Sequence, residues 1–194
     1  MRKSRVEAAR TRERIIEAAG HEFRRNGIAA TGLAGLMASA GLTHGGFYKH
    51  FESKDELVRE ACVRSMHTVL DALVQRIDQE PPPSRLRALL SAYLSPAHRD
   101  DAGRGCGLAA LSEELGRCDD TTRAETTDYF RRLVKTIAGY LPDPDDAAAN
   151  AKAQTIAVAM VGAISVARAL NDPALSGQLL ENSRETLLNL ASAA

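Results

Sequence analysis

Ala40-Gly41-Leu42-Thr43-His44-Gly45-Gly46-Phe47-Tyr48-Lys49-His50-Phe51-Glu52-Ser53-Lys54-Asp55-Glu56-Leu57 sets a glycine corner, a short polar-aromatic segment and a helix start in immediate succession. Ala38, Ser39, Ala40 and Gly41 are small, so two helices can cross steeply there without a bulky side chain forcing them apart. Thr43 can cap a short helix reaching His50, with Phe47 and Phe51 pinning it to a core of Ile15, Ala19 and Phe23. Ser53, followed three residues later by Glu56, is a capping box that opens another helix. Such a corner is either a structural bend or a helix-turn-helix.

On the N-terminal side, a helix from about Arg10 carries Ile15, Ile16, Ala19 and Phe23 on one face. Arg24-Arg25 suit its last turn, and Asn26-Gly27 stops it. Thr31 can cap a second short helix with Leu33, Leu36, Met37 and Ala40. On the C-terminal side, Val58, Cys62, Met66, Val69, Leu73 and Ile77 follow at helical spacing until Pro81-Pro82-Pro83. Helices are then predicted over 84–94, 108–115, 121–140, 145–170 and 175–191, with a polar loop from Pro96 to Gly107. No run alternates as a strand does. The chain is predicted to be all-α, with three short N-terminal helices as one domain (1–54) and a C-terminal helical bundle as another (55–194). The long helix after Ser53 would belong to both.

Composition agrees with a helical globular protein. The 194 residues are 44% hydrophobic and 26% charged, with no Trp and 4% aromatics, which suits helices better than sheets. The formal net charge is zero, yet it is unevenly spread. Through Lys54 the basic residues are Arg2, Lys3, Arg5, Arg10, Arg12, Arg14, Arg24, Arg25, Lys49 and Lys54, against Glu7, Glu13, Glu17, Glu22 and Glu52. A basic head on an acidic body orients a protein towards DNA; a basic tail without a partner would carry the same charge. The three cysteines, Cys62, Cys106 and Cys118, form no disulfide pattern, and no secretory signal or membrane span is recognisable, so a cytoplasmic protein is expected. There is no phosphate-binding glycine loop, His-Glu-x-x-His or nucleophile elbow, so neither catalysis nor a cofactor is expected. His98, Asp100 and Asp101 have no metal-ligand spacing and are assigned to a solvated loop.

Arg14-Ile15-Ile16-Glu17-Ala18-Ala19, Phe23, Gly27, Thr31, Ala40-Gly41-Leu42-Thr43 and the run from Phe47 to Leu57 together resemble the DNA-binding domain of the TetR family. Tyr48-x-His50-Phe51-x-Ser53-Lys54-x-x-Leu57 is the most specific part. The resemblance covers about the first 57 residues. It implies a homodimer on a palindromic double-stranded operator, released by a small-molecule effector, with repression the expected outcome. Tyr48 and Lys54 would hold phosphates, Thr31 and Thr43 would lie near them, and His44, Gly45 and Gly46 would face bases. Lys49 and His50 add polar tips for phosphates. Gly32, Gly35 and Met37 depart from the family pattern, and Gly32 removes one phosphate contact from the Thr31-Gly32 segment. The alternative from another class is a helical protein-interaction module, which leaves the basic head unexplained.

The C-terminal half offers three further expectations. Small residues Ala153, Ala157, Gly162, Ala163 and Ala167, with Ile156, Met160 and Ile164, and Leu179, Leu180, Leu187 and Leu188 in the last helix, form stripes suited either to dimerisation or to intramolecular core. A ligand pocket between the long helix and residues 84–140 would be lined by Met66, Leu70, Tyr93, Leu111, Phe130 and Val134, residue types equally at home in an ordinary core. Cys106, in Gly103-Arg104-Gly105-Cys106-Gly107 before a helix, is either a reactive thiol beside an arginine or a small buried residue in a tight loop. The segment Gly105 to Glu113 is similar to one in a branch of TetR regulators, some of which sense electrophiles.

Overall fold

The computed structural model describes residues 5–144 and 147–192. Arg2 and Lys3 of the basic N-terminus, and Asp145 at the expected start of the penultimate helix, lie outside them. The described chain is helical, without strands among the described residues: α1 (Arg5–Asn26), α2 (Leu33–Ser39), a 3-10 turn (His44–Lys49), α3 (Lys54–Ile77), a 3-10 turn (Pro82–Ser84), α4 (Arg85–Tyr93), α5 (Pro96–Asp100), a 3-10 turn (Ala102–Arg104), α6 (Gly107–Leu115), α7 (Asp120–Ala138), α8 (Ala147–Ala169) and α9 (Pro173–Ser192). The buried apolar residues form one cluster from Ile15 to Ala191. No helix among the described residues is long and apolar enough to cross a membrane.

The N-terminal head is built around α1. Ile15, Ala19 and Phe23 are fully buried with Phe47, and Phe51 stacks on Phe47 at 5.5 Å. Gly27 and Gly41 have φ of +85° and +70°, a left-handed backbone that side chains disfavour, so both corners need glycine. The segment predicted as the third helix is six residues of 3-10 geometry. Gly45 and Gly46 are weak helix formers, and Thr43 at its N-cap makes no side-chain cap bond. Thr31 does not cap α2 either. Gly32 is the N-cap, and the buried Thr31 hydroxyl donates back to the Gly27 carbonyl at 2.6 Å. The capping box at Ser53 forms with a shift of one residue. Ser53 Oγ accepts from Glu56 N at 3.1 Å, while the Glu56 carboxylate accepts from Glu52 N at 2.6 Å.

Arg12 joins α1 to α3. Its guanidinium donates to Glu60 and Glu56, to the His50 carbonyl at 3.3 Å, and lies 4.6 Å from the Phe51 ring centroid. The hydrogen bond from Arg12 is the main cause holding the Glu60 carboxyl below its ordinary value, against desolvation. A carboxylate depressed in the folded state stabilises above its unfolded pKa, about 4.3, and loses that contribution as pH falls through the lower folded value. Acid titration is therefore expected to loosen the head below about pH 4, and Glu60→Gln to flatten that limb in a circular-dichroism melt series.

Two expectations for the body need correction. The segment from Pro96 to Gly107 is structured. Ser95 Oγ accepts from His98 N at 3.2 Å and caps α5, and Asp101 Oδ1 accepts from Arg104 N at 3.2 Å to close the following turn. In α8, Ala153, Ala157, Ala163, Ala167, Ile156, Met160 and Ile164 are all buried within the protomer, as are Leu180 and Leu187 of α9, while Leu179 and Leu188 are half-buried. These residues serve the intramolecular core. The outward face of α8 is instead Thr155, Val158, Gly162 and Val166.

Candidate nucleic-acid interface and ligand cavity

The 3-10 turn projects a polar, accessible edge from a fixed base. Phe47 is fully buried, while its neighbour Tyr48 is 67% exposed. Thr43, His44, Gly45 and Lys49 are exposed, and Gly46 and His50 half-buried. Gly32 is exposed beside them in sequence, at the start of α2. Free amides at the start of α2 and of the turn complete a surface suited to phosphate oxygens.

Several basic residues of the head have internal work. Lys54 Nζ donates to the carbonyls of Ile28 and Thr31, both at 2.8 Å, and so ties the α1–α2 loop to the start of α3. Arg14 Nη2 donates to the Ala40 carbonyl at 2.5 Å, at the C-terminal end of α2. Arg24 donates Nε and Nη2 to the Gly103 carbonyl at 2.9 and 2.6 Å. With Arg12 paired to carboxylates, the positive excess of the head is partly structural. Arg5, Arg10, Arg25 and Lys49 remain exposed on it.

A cavity of about 310 Å³ lies between α3, α4, α7 and the 97–106 segment. Leu70, Tyr93 and Cys106 line it as expected. Met66, Leu111, Phe130 and Val134 do not; Met66, Leu111 and Val134 are core, and Phe130 packs half-buried against that core. On α7 the lining residues are Tyr129 and Leu133, one position earlier each. One position turns a helix by about 100°, and composition alone did not fix that angle. Val69, Leu73, Arg76, His98, Asp101 and Arg104 complete much of the wall.

His98 is the residue most displaced from its sequence reading. Its ring is largely buried, with Nδ1 2.7 Å from the Tyr93 carbonyl and Nε2 accepting from Cys106 N at 2.9 Å. Both bonds together require a neutral ring with the proton on Nδ1, and burial lowers its pKa in the same sense. Cys106 is the N-cap of α6 and 2% exposed, its Sγ 3.9 Å from the Tyr129 hydroxyl. Arg104 lines the same cavity at its solvent side, with its side chain 82% exposed and 3.6 Å from Asp101. Gly105 has an ordinary φ of −87°, so its glycine answers to space. A methyl group there would lie 2.7 Å from the His98 ring and 2.8 Å from Arg168 Nη2. Gly105→Ala is expected to cost about 1–3 kcal/mol by overpacking, read in urea denaturation, with the exposed edge of the 3-10 turn in the head untouched.

The loop that forms the cavity wall also touches the head. Besides Arg24 on the Gly103 carbonyl, a methyl group at Gly103 would come within 2.5 Å of His21 Nε2. A second tie runs from Glu114 of α6, whose carboxylate accepts from Ala29 N at 2.8 Å. His21 and Glu114 carried no sequence signal as joints. The partner of Glu114 is a backbone amide far away in the chain, and His21 packs against the Gly103 backbone.

Residues 15–61 match the family model described as bacterial regulatory proteins, tetR family. The N-terminal head carries the DNA-binding domain of the TetR family. Over 80 residues it is 41% identical to the HTH-type transcriptional regulator TtgR of Pseudomonas putida, covering 41% of this chain and 38% of that protein. The match therefore spans well under half of that relative. The solved structure of reduced E. coli NemR superposes with a TM-score of 0.77 at 20% identity, over 93% of this chain and 96% of that one. A TetR-family regulator from Cytophaga hutchinsonii gives 0.77 at 22% identity over all of both chains. These likenesses establish that the TetR two-part fold extends through the C-terminal half. The family signature from Tyr48 to Leu57 falls on the exposed turn and the first residues of α3.

Proposed function

We propose that the protein is a DNA-binding transcription regulator of the repressor type, acting as a homodimer on a palindromic operator and released when its cavity is occupied. The single observation that carries this reading is the fully buried Phe47 beneath an exposed Thr43-His44-Gly45 and Tyr48-Lys49 edge, in a segment matched by the TetR model. His44, Gly45 and Gly46 face bases, and Tyr48, Lys49, Thr43 and the amide at Gly32 meet phosphates. Thr31 and Lys54 act one step back, holding the loop that presents them. The heads of the dimer sit about 34–36 Å apart, one turn of DNA. The outward face of α8, with Val158 60% and Val166 52% exposed and Gly162 open to solvent, together with exposed Leu175 of α9, supplies the two-fold contact.

Release follows from the shared loop. A ligand that binds more tightly when the 101–106 segment is displaced shifts the protomer to that state, and Arg24 transmits the displacement to α1. The long α3, common to head and body, carries the same motion. Modification of Cys106 by an electrophile is a second way to move this wall, favoured by the thiol's position on the cavity itself. Its burial requires that the reagent enter the cavity first.

The test is fluorescence anisotropy on the protein's own upstream DNA across a salt series, with Cys106→Ser as a parallel variant. Binding should weaken steeply with salt, because phosphate contacts release counterions. Lys49→Met should reduce the salt slope by about one at unchanged stability, whereas Lys54→Met should lower stability and affinity together. Salt-insensitive or absent sequence-specific binding, checked by selection of bound genomic fragments, would reject the regulator in favour of an interaction module.

A further inference from the structure

Two half-buried arginines grip the cavity wall from outside. Arg24 holds the Gly103 carbonyl, and Arg168 of α8 donates Nε to the Arg99 carbonyl at 3.0 Å and Nη2 to the His98 carbonyl at 2.8 Å. Neither guanidinium has a carboxylate within 4 Å among the described residues, and Nη1 of each is buried without an acceptor among them. Burial pulls both pKa values down, yet a guanidinium stays charged across the physiological range. Arg168 stands directly behind Gly105, itself part of the wall.

The wall itself adds charge of the same sign. Arg76 and Arg104 line the cavity, and Asp101 is the one carboxylate among the lining residues. His98 is neutral by its hydrogen bonds. Tyr93 is 5% exposed, and its buried hydroxyl has the Cys106 thiol as its polar neighbour but no well-formed hydrogen bond. The rest of the lining is largely apolar, from Val69, Leu70, Leu73 and Leu133. Buried charge without a counter-charge is costly, and a buried donor left unmade costs more than one satisfied. The missing partner is thus an anion with a hydrogen-bond acceptor, on an apolar body small enough for about 310 Å³.

We infer that the cavity takes a small organic acid, seated with its carboxylate towards Tyr93, Cys106 and Gly105 and its apolar body among Val69, Leu70, Leu73 and Leu133. The inference rests on reading this cavity as the effector site and adds the sign of the effector's charge. A neutral molecule of the same shape leaves Asp101 as the one lining carboxylate near Arg24, Arg76, Arg104 and Arg168, and a cation adds to their repulsion. The carboxylate accepts from the Tyr93 hydroxyl and lowers the potential that Arg168 and Arg104 set up across the wall.

The experiment is isothermal titration of the full-length protein, without DNA, using acid–amide pairs that differ in charge and hardly in shape: benzoate and benzamide, 1-naphthoate and 1-naphthamide, octanoate and octanamide. At least one acid is expected to bind once per protomer and at least tenfold more tightly than its amide. Arg168→Met and, separately, the exposed Arg104→Met should each shrink that ratio several-fold while leaving amide binding in place; the second variant removes only the exposed 3.6 Å ion pair with Asp101, leaves the backbone bonds of the loop intact and keeps the test valid should the first unfold. Tyr93→Phe should weaken the acid selectively, and Cys106→Ser should not. Absence of binding by all three acids, amides that bind equally well, or a ratio unmoved in Arg104→Met and Tyr93→Phe overturns the inference. Operator release is then read separately: an acid that binds without changing DNA affinity leaves the charge assignment standing and rejects the cavity as the effector site.

Discussion

Val158→Asp is expected to yield a monomer whose affinity for a two-half-site operator falls by about 10²–10⁴-fold, with the protomer fold intact. Val158 sits on the outward face of α8 and is 60% exposed, in line with Thr155, Gly162 and Val166. Two copies of that face meeting about a two-fold axis bring each Val158 near its symmetry mate, so one substitution places two like charges in an apolar contact. Its exposure in the protomer means that the monomer loses no core. A dimer grips DNA with the second head at high effective concentration, and a monomer forfeits that advantage entirely. Sedimentation velocity and anisotropy on full and half operators would separate the terms. Affinity for a half-site should be unchanged, and a variant that remains dimeric would move the interface off this face.

Phe47→Ala is expected to destabilise the head by about 3–5 kcal/mol and to abolish operator binding at any accessible concentration. Phe47 has no exposed surface, meets Tyr48 edge-on at 5.1 Å and stacks with Phe51 at 5.5 Å. Its 3-10 turn has no side-chain cap at Thr43 and contains two adjacent glycines, so nothing local replaces the lost burial. The far body should be less affected, because α7, α8 and α9 pack mainly on one another and on α3. Hydrogen exchange would then report early opening of residues 31–53 with the body amides protected. A variant that unfolds in one step with a small loss would place the anchoring of the turn elsewhere.

Much of the head was legible because its signals are local. Gly27 and Gly41 announce left-handed corners, Ser53 with Glu56 announces a helix start, and Phe47 and Phe51 announce burial by spacing. The length of the third element was misjudged: helical spacing over 43–50 cannot register that Gly45 and Gly46 favour a 3-10 turn. The family resemblance implies an outward, phosphate-side role for Lys54 and Thr31, whereas their partners are carbonyls of Ile28, Thr31 and Gly27 fixed only by the fold. In α8 the stripe of alanines was periodic, as dimer and core stripes both are, and only packing against α9 and α7 separates them. A cavity does lie between α3, α4 and α7, but on α7 it is Tyr129 and Leu133 that face it, one residue before each expected position. His98 had no legible role at all, since Tyr93 and Cys106 approach it only after α5 folds.

Gly32, Gly35 and Gly45 lie on or beside the proposed DNA-facing edge, and a methyl group at any of them would meet no atom within 4 Å. None has a positive φ, so neither backbone nor packing requires glycine there. Gly35, inside α2, even weakens its helix by about 1 kcal/mol relative to alanine. Side chains can therefore be added at three points on or beside that edge, Gly45 among the proposed base-facing residues, without disturbing the fold that holds it. On the proposed docking, operator preference in this scaffold is open to rapid change by single substitutions, and a lineage could acquire a new target sequence before it had lost any thermal stability.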